Sequence, residues 1–422
     1  MDTSQKRSPL ASLVQTVGRR ESRQSLSRLA LVLAIFGASY FLVIAGAYNA
    51  QYYMEKGEAF KPLRTIQDAL FVWDGLVYHD IATRGYSFDG DTCREHNIVF
   101  WPAFPLLARG VAAATGMSAR DSGFLVVRLS FLAASLLLFQ YVSARRGVVA
   151  GLFVLLGLSF SAGSFAFHAY YSESTMLLFL ALALHFHERE RFWLLGLSAF
   201  VLGTTRVTVV PFCLLFCGLL LLRAIRGAEK PVTERVKLAL AAALCVGGVA
   251  VHLLYFHLSF GNPLELIPAI KYCAWSKMHE PMSLFELVSF APLWSHVVAA
   301  VERPYFFVLD YKTTNLLWTL LALSASIYAV VRRRRDVAAL GFVGYFLLTF
   351  YANGKAEYLE SSYRYYTPMF TIYLMFFDLY EYLRARWSTL LVDGLFLTLF
   401  AINVMYMVLY ASLFASGRWH FF

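Results

Sequence analysis

Apolar runs, most of them close to the ~20 residues that carry a helix across a bilayer, alternate along this chain with short segments rich in Arg and Lys. The runs cover residues 29–50, 122–143, 148–167, 175–186, 192–203, 207–222, 238–259, 315–331, 337–351, 368–383 and 390–410. They lack the period-two alternation of barrel strands, so about eleven membrane helices are expected. The basic segments supply the topology. The tail 1–28, Arg145 with Arg146, the 188–191 turn, the 223–237 loop, the 332–335 Arg run and Arg384 with Arg386 all fall on one side under a single count of crossings. Lys and Arg in short loops mark the cytoplasmic face.

The opposite side then receives three long loops, about 51–121, 260–311 and 353–366, with short turns at 168–174 and 204–206 and a tail at 412–422. The reading is a basic cytoplasmic tail (1–28), mobile, and one all-α polytopic membrane domain (29–411). The apolar stretch 98–111 holds two prolines and is too short and broken to span. It is expected to lie in the interface, with Trp101 and Phe104 at headgroup depth. The basic tail is not followed by a small-residue cleavage site, so no cleaved leader is expected. No internal repeat is evident, which disfavours a transporter of inverted halves.

Composition sharpens this picture. The chain is 59% hydrophobic and 15% charged, with mean hydropathy +0.57, far from a water-soluble average of about 25% charged. The net charge of +10 is spent on topology, and no basic face combines with exposed aromatics as a nucleic-acid surface would. Cys213, Cys217 and Cys245 lie in apolar runs as inert core residues. Cys93 and Cys273 fall in the two long external loops, where a disulfide between them is a hypothesis for an oxidising compartment.

One polar stretch stands out, FVWDGLVYHDIATRGY from Phe71 to Tyr86. It is too polar for lipid and sets Asp74 beside Trp73, with Tyr78, His79, Asp80 and Arg84 following. Asp74 has two readings, a solvated loop acid or helix cap, and a carboxylate held at the membrane surface as a general base. On a helix Asp74 shares a face with Tyr78, while Asp80 faces Arg84 one turn on. His79 reads as a polar loop residue, because no second His or Cys sits at ligand spacing. No metal or other cofactor is indicated. Glu173, near a helix start between two serines, fits a dipole-favoured position. Arg206 and Arg364 lie in external turns, where guanidinium forks match phosphate oxygens. Arg206 also fits snorkelling at a helix end, and Glu357 and Glu360 lie close enough in sequence to pair with Arg364.

Taken in order, these residues resemble the PIG-V-type mannosyltransferases, membrane enzymes of the GT-C class. WDGLVYHDIATRGY looks like that family's Trp-Asp loop, and FWPAFPLL its aromatic and proline-rich stretch. Tyr171, Ser172, Glu173 and Ser174 match its Tyr-Ser-Glu-Ser turn. GTTR, ending at Arg206, is similar to its small-residue-plus-Arg motif, with Val207 and Thr208 where the family often has Asn-Gly. Arg364, Tyr365 and Pro368 match its Arg-Tyr-x-x-Pro. The resemblance implies a GT-C-like fold and inverting transfer of a hexose, mannose above all. It implies a polyprenyl-phosphate donor and an acceptor hydroxyl on a glycolipid, glycan or protein. Asp74 would act as base, and Trp73, Tyr78, His79, Asp80, Tyr171, Glu173, Arg206, Arg364 and Tyr365 would bind substrate. The expected setting is a bacterial inner membrane, with the site facing the periplasm or exterior and Asp74, Arg206 and Arg364 around one outward-facing cavity. Three rivals stand beside it. A transporter or flippase of a polyprenyl-linked sugar would need ionisable residues deep inside spans, whereas most charges here sit at span ends. The others are a non-enzymatic assembly subunit and a related enzyme using another polyprenyl-phosphate sugar.

Overall fold

The structure, a computed structural model, describes residues 9–53, 65, 67–91, 96–229, 231–265, 282–301, 311–333, 336–353, 355, 359 and 361–417. Regular structure among them is helical. The helices are α1 (Pro9–Tyr53), α2 (Asp74–Arg84), α3 (Ala103–Thr115), α4 (Ala119–Arg146), α5 (Val148–Phe160), α6 (Glu173–Glu188), α7 (Phe192–Leu202), α8 (Val210–Arg226) and α9 (Val232–Phe260). The later ones are α10 (Leu284–Ser289), α11 (Ala291–Val301), α12 (Tyr311–Arg332), α13 (Val337–Asn353), α14 (Ser362–Tyr366), α15 (Phe370–Arg384) and α16 (Thr389–Ala415). Short 3-10 turns occur at Asp68–Leu70, Ala162–Phe167 and Val207–Val209.

A helix stands at every expected span, and the all-α polytopic class holds. Among the described residues, six helical segments are long and apolar enough to cross a membrane: Leu26–Tyr53, Ala119–Arg146, Val207–Arg226, Val232–Phe260, Lys312–Arg332 and Thr389–Ala415. The others expected to span have 11 to 17 residues. At about 1.5 Å per residue they cover less than a ~30 Å hydrocarbon core. The physical reason is visible at α5. The Ser161 hydroxyl donates to the Gly157 carbonyl (2.5 Å), and the chain leaves the helix for the 3-10 turn Ala162–Phe167. At the N-terminus the difference runs the other way: helix α1 begins at Pro9, inside the segment read as a mobile tail.

Local signals set other boundaries. Ser118 caps α4 by accepting the Asp121 N–H (3.0 Å). Its far end carries Arg145 and Arg146, cations that suit a helix C-terminus. The aromatic core gathers around Tyr170, whose ring meets Phe71, Phe104 and Phe124 edge-on. Gly123 makes room for it, since a Cβ there would lie 2.1 Å from that ring. Trp101 and Phe104 are buried within the protein: Phe104 packs on Tyr78 and Tyr170 and Trp101 lies 4.4 Å from the His252 ring of α9. Cys213 and Cys245 are buried and Cys217 partly so, all as free thiols. Cys93 and Cys273 lie outside the described residues.

Candidate active site

Four turns, each beside a helix start, converge. Backbone bonds pin them together: the Tyr170 N–H donates to Leu70 O (3.0 Å) and the Ala103 N–H to Thr204 O (2.9 Å). The Tyr345 hydroxyl donates to Tyr365 O (2.7 Å). Gly163 permits the close approach of α14, since a Cβ there would lie 2.5 Å from the Tyr363 carbonyl oxygen and 2.9 Å from the Arg364 Cα.

The result is a charge ladder of Asp74, Arg364, Glu173 and Arg206, contributed by positions far apart in sequence. Arg364 Nη2 donates to Asp74 Oδ2 (2.9 Å). Glu173 Oε1 lies 3.0 Å from Arg364 Nε and 2.6 Å from Arg206 Nη1. The Glu173 contacts are close but off the hydrogen-bond line, and neither Glu173 carboxylate oxygen has a hydrogen-bond donor among the described residues. Side-chain exposure falls from 21% at Asp74 to 8% at Arg364 and 2% at Glu173. Two acids and two bases cancel, which is how a buried cluster of this kind stays tolerable.

Aromatic rings line the ladder. Arg364 lies 4.8 Å from the Tyr171 ring centroid and 5.0 Å from that of Tyr365, and Arg206 is 5.2 Å from Tyr365. Burial alone would lower both guanidinium pKa values. The facing carboxylates, Glu173 for Arg206 and Asp74 with Glu173 for Arg364, outweigh it and raise them. Burial pushes the Tyr78 and Tyr171 phenols well up, so both stay protonated. The Tyr171 hydroxyl bonds the Asp74 backbone, at the helix end where N–H groups lack partners. Tyr78, one turn after Asp74, pairs with the Ser172 hydroxyl (2.8 Å).

Both members of the Asp74–Arg364 pair follow strained backbone. Trp73 has φ 54° and ψ −127°. Leu359 and Ser361, shortly before Arg364, have φ 56° and 59°. Non-glycine residues in such conformations cost about 1–3 kcal/mol each and cluster at functional sites.

The sequence-based candidates therefore divide. Asp74, Tyr78, Tyr171, Glu173, Arg206, Arg364 and Tyr365 come together, with Trp73 as the residue before the helix. Asp80 and His79 stand apart. Asp80 pairs with Arg84, as the spacing predicts, and accepts from Asn97 Nδ2 (2.8 Å). His79 lies edge-on to Phe71 (5.3 Å). Burial, then the nearby Arg120 charge, lowers its pKa. Glu173, read as a dipole-favoured acid, joins two arginines. Arg364 takes Asp74 and Glu173 as partners; Glu357 and Glu360 lie outside the described residues. The expected opening between Asp74 and Arg364 is closed by their direct bond. Lys355, also in the 353–366 loop, is paired with Glu286 (3.0 Å). The sequence reading missed Ser172, though it lay inside the quoted motif, and Arg109, whose guanidinium donates to Ile81 O and Ala82 O near the end of α2. Among the described residues no group of three or more His, Cys, Asp or Glu could hold a metal ion.

Comparison with solved structures finds several likenesses of helical path, two of which follow. One is ArnT from Cupriavidus metallidurans bound to undecaprenyl phosphate, at 12% identity and TM-score 0.48, covering 91% of this chain and 76% of that one. The other is the Archaeoglobus fulgidus oligosaccharyltransferase complex with zinc and sulfate, at 12% identity and TM-score 0.48, covering 91% of this chain. The match spans about half of that oligosaccharyltransferase chain (53%). No protein-family model matches the sequence, and no curated protein matches it.

Proposed function

We propose that this protein is a GT-C-type glycosyltransferase that moves a hexose, mannose in the first instance, from a polyprenyl-phosphate sugar to an acceptor hydroxyl on the non-cytoplasmic side of the membrane. The observation that carries the reading is the ladder itself: the motif residues Asp74, Glu173, Arg206 and Arg364 meet within bonding distance. They do so beside tyrosine rings, and guanidinium groups next to a carboxylate suit transfer from a lipid phosphate.

The chemistry runs as a single displacement. The acceptor oxygen attacks the anomeric carbon as the bond from that carbon to the phosphate oxygen breaks. The electron pair leaves with the lipid phosphate, and the configuration inverts. Asp74 takes the acceptor proton. Phosphate is a good leaving group, so positive charge matters more than a general acid, and Arg206 and Arg364 supply it in a water-poor setting. The closed ion pair has a role here. Incoming phosphate competes for Arg364, and its capture frees Asp74 Oδ2 for the acceptor hydroxyl, so the base is released only when the donor is in place. Tyr365 and Tyr171, held against the guanidinium groups, offer faces and hydroxyls to the sugar.

A flippase would need charges along a path through the spans. The ladder residues sit in turns and first helical turns instead, which favours the enzyme. The experiment is in-vitro transfer by the purified protein with a panel of polyprenyl-phosphate sugars. Asp74→Asn should lower turnover about 10²–10⁴-fold when assayed well below the variant's own thermal midpoint, which loss of the charge pair with Arg364 also lowers. Turnover by the Asn variant equal to wild type would remove Asp74 as base, and inactivity with every donor would remove the enzymatic reading.

A further inference from the structure

A second charged centre lies at the opposite end of the helices that build the ladder. Helix α6 begins at Glu173 and ends at Glu188, and α4 runs from beside Tyr170 to Arg146. At about 1.5 Å per residue, the two ends of α6 are ~22 Å apart along its axis. At the far end is a cavity of about 500 Å³ lined by Arg145, Arg146, Arg332, Arg333, Glu188 and Asp336, among others.

Pairing leaves this cavity with positive charge to spare. Arg145 pairs with Glu188. Arg146 and Arg333 share one carboxylate, Asp378, which also accepts the Tyr328 hydroxyl (2.6 Å). Asp336 accepts the Ala338 and Ala339 N–H groups (2.9 and 3.4 Å) at the start of α13, so it neutralises a helix end rather than a guanidinium. Arg332 is exposed and has no carboxylate partner among the described residues. Arg146 Nη1 is buried with no acceptor among them. A buried donor without a partner is costly. Guanidinium forks satisfy themselves best on carboxylate or phosphate, and here the carboxylates are already committed.

We infer that this cavity is a binding site for a phosphoryl group, distinct from the ladder and at the other end of the bundle. Arg332 and Arg145 provide the accessible contacts, and Arg146 and Arg333, held in place by Asp378 and Tyr328, form its floor. The same chemistry is offered by a lipid phosphate of the adjoining leaflet and by a water-soluble phosphate compound.

The test uses the full chain in two arms. In detergent, inorganic pyrophosphate is titrated and the thermal midpoint followed. In nanodiscs, phosphatidylglycerol is titrated into phosphatidylcholine with the same readout. At least one arm should give a saturable rise in midpoint. Arg332→Gln and Arg145→Gln should each weaken the apparent affinity about tenfold or more, and Arg386→Gln, stacked on Tyr382 outside the cavity, should leave it unchanged. The responding arm identifies the source of the phosphate. No saturable shift in either arm, or an equal loss in the Arg386→Gln control, overturns the site. Neither readout involves sugar transfer, so the result stands apart from the fate of the enzymatic reading.

Discussion

The two ends of the bundle use the same side chains to different ends. At the ladder, charges are buried, matched two against two, ringed by tyrosines and approached through strained backbone. At the cavity, the ion pairs are half open and guanidinium groups outnumber the acids that face them. The Arg145–Glu188 pair is 32% and 42% exposed, against 15% and 2% for Arg206–Glu173. Burial decides what each arrangement means. A closed, neutral, water-poor cluster has a high cost if broken. An open, cation-rich cavity is an attraction for anions and has a low cost to alter.

The largest expected effect follows from that contrast. Arg364→Gln leaves Asp74 and Glu173 facing each other with only Arg206 to balance them. Breaking a buried pair this way costs about 3–5 kcal/mol, while Arg145→Gln at the exposed pair should cost no more than about 1 kcal/mol. Thermal or denaturant unfolding in detergent measures both. High salt shortens the Debye length from about 10 Å at 0.1 M to about 3 Å at 1 M, so it should shrink the Arg145 effect and spare the Arg364 one. Equal losses at the two sites would erase the distinction between the ends.

How much of this could be read from residues alone follows the same division. The spans were legible because lipid leaves a composition signal that needs no tertiary knowledge. The ladder residues were legible one by one, as polar residues at expected turns, and their order carried the family resemblance. Their pairing was not, because the partner of Arg364 sits nearly three hundred residues away (|i−j| = 290 for Asp74), and sequence neighbours offered a nearer answer in Glu357 and Glu360. The burial of Trp101 and Phe104 was not legible either, because a stretch lying in the interface and one docked on the core share the same apolar composition. The cavity stayed hidden for another reason. Its arginines had already been assigned to topology, and a residue that orients the chain can also bind.

A medium effect probes how the ladder is held. Gly163→Ala places a methyl group 2.5 Å from the Tyr363 carbonyl oxygen and 2.9 Å from the Arg364 Cα, both backbone atoms that cannot rotate away. Over-packing of this kind costs about 1–3 kcal/mol, and here it pushes α14 from the turn that carries Glu173. Transfer activity should fall more than stability does, while pyrophosphate or phosphatidylglycerol binding at the cavity is untouched. A variant with wild-type activity would show that the ladder tolerates displacement.

The smallest effect concerns how each end receives an added positive charge. At the ladder end, His79 is partly buried against Phe71 with Arg120 close by, and its pKa is lowered by burial first and by Arg120 second. The folded ring therefore takes up a proton less readily than the unfolded chain, whose His titrates near 6.5. As pH falls through that value the unfolded state gains protons first, so stability present at pH 7 and above is lost toward pH 5. His79→Gln removes the titrating group. The fall in thermal midpoint between pH 7 and pH 5 should then be shallower in the variant than in wild type, by less than either effect above. Identical slopes would mean that His79 meets no penalty on protonation and that this end of the molecule accepts charge as freely as the cavity does.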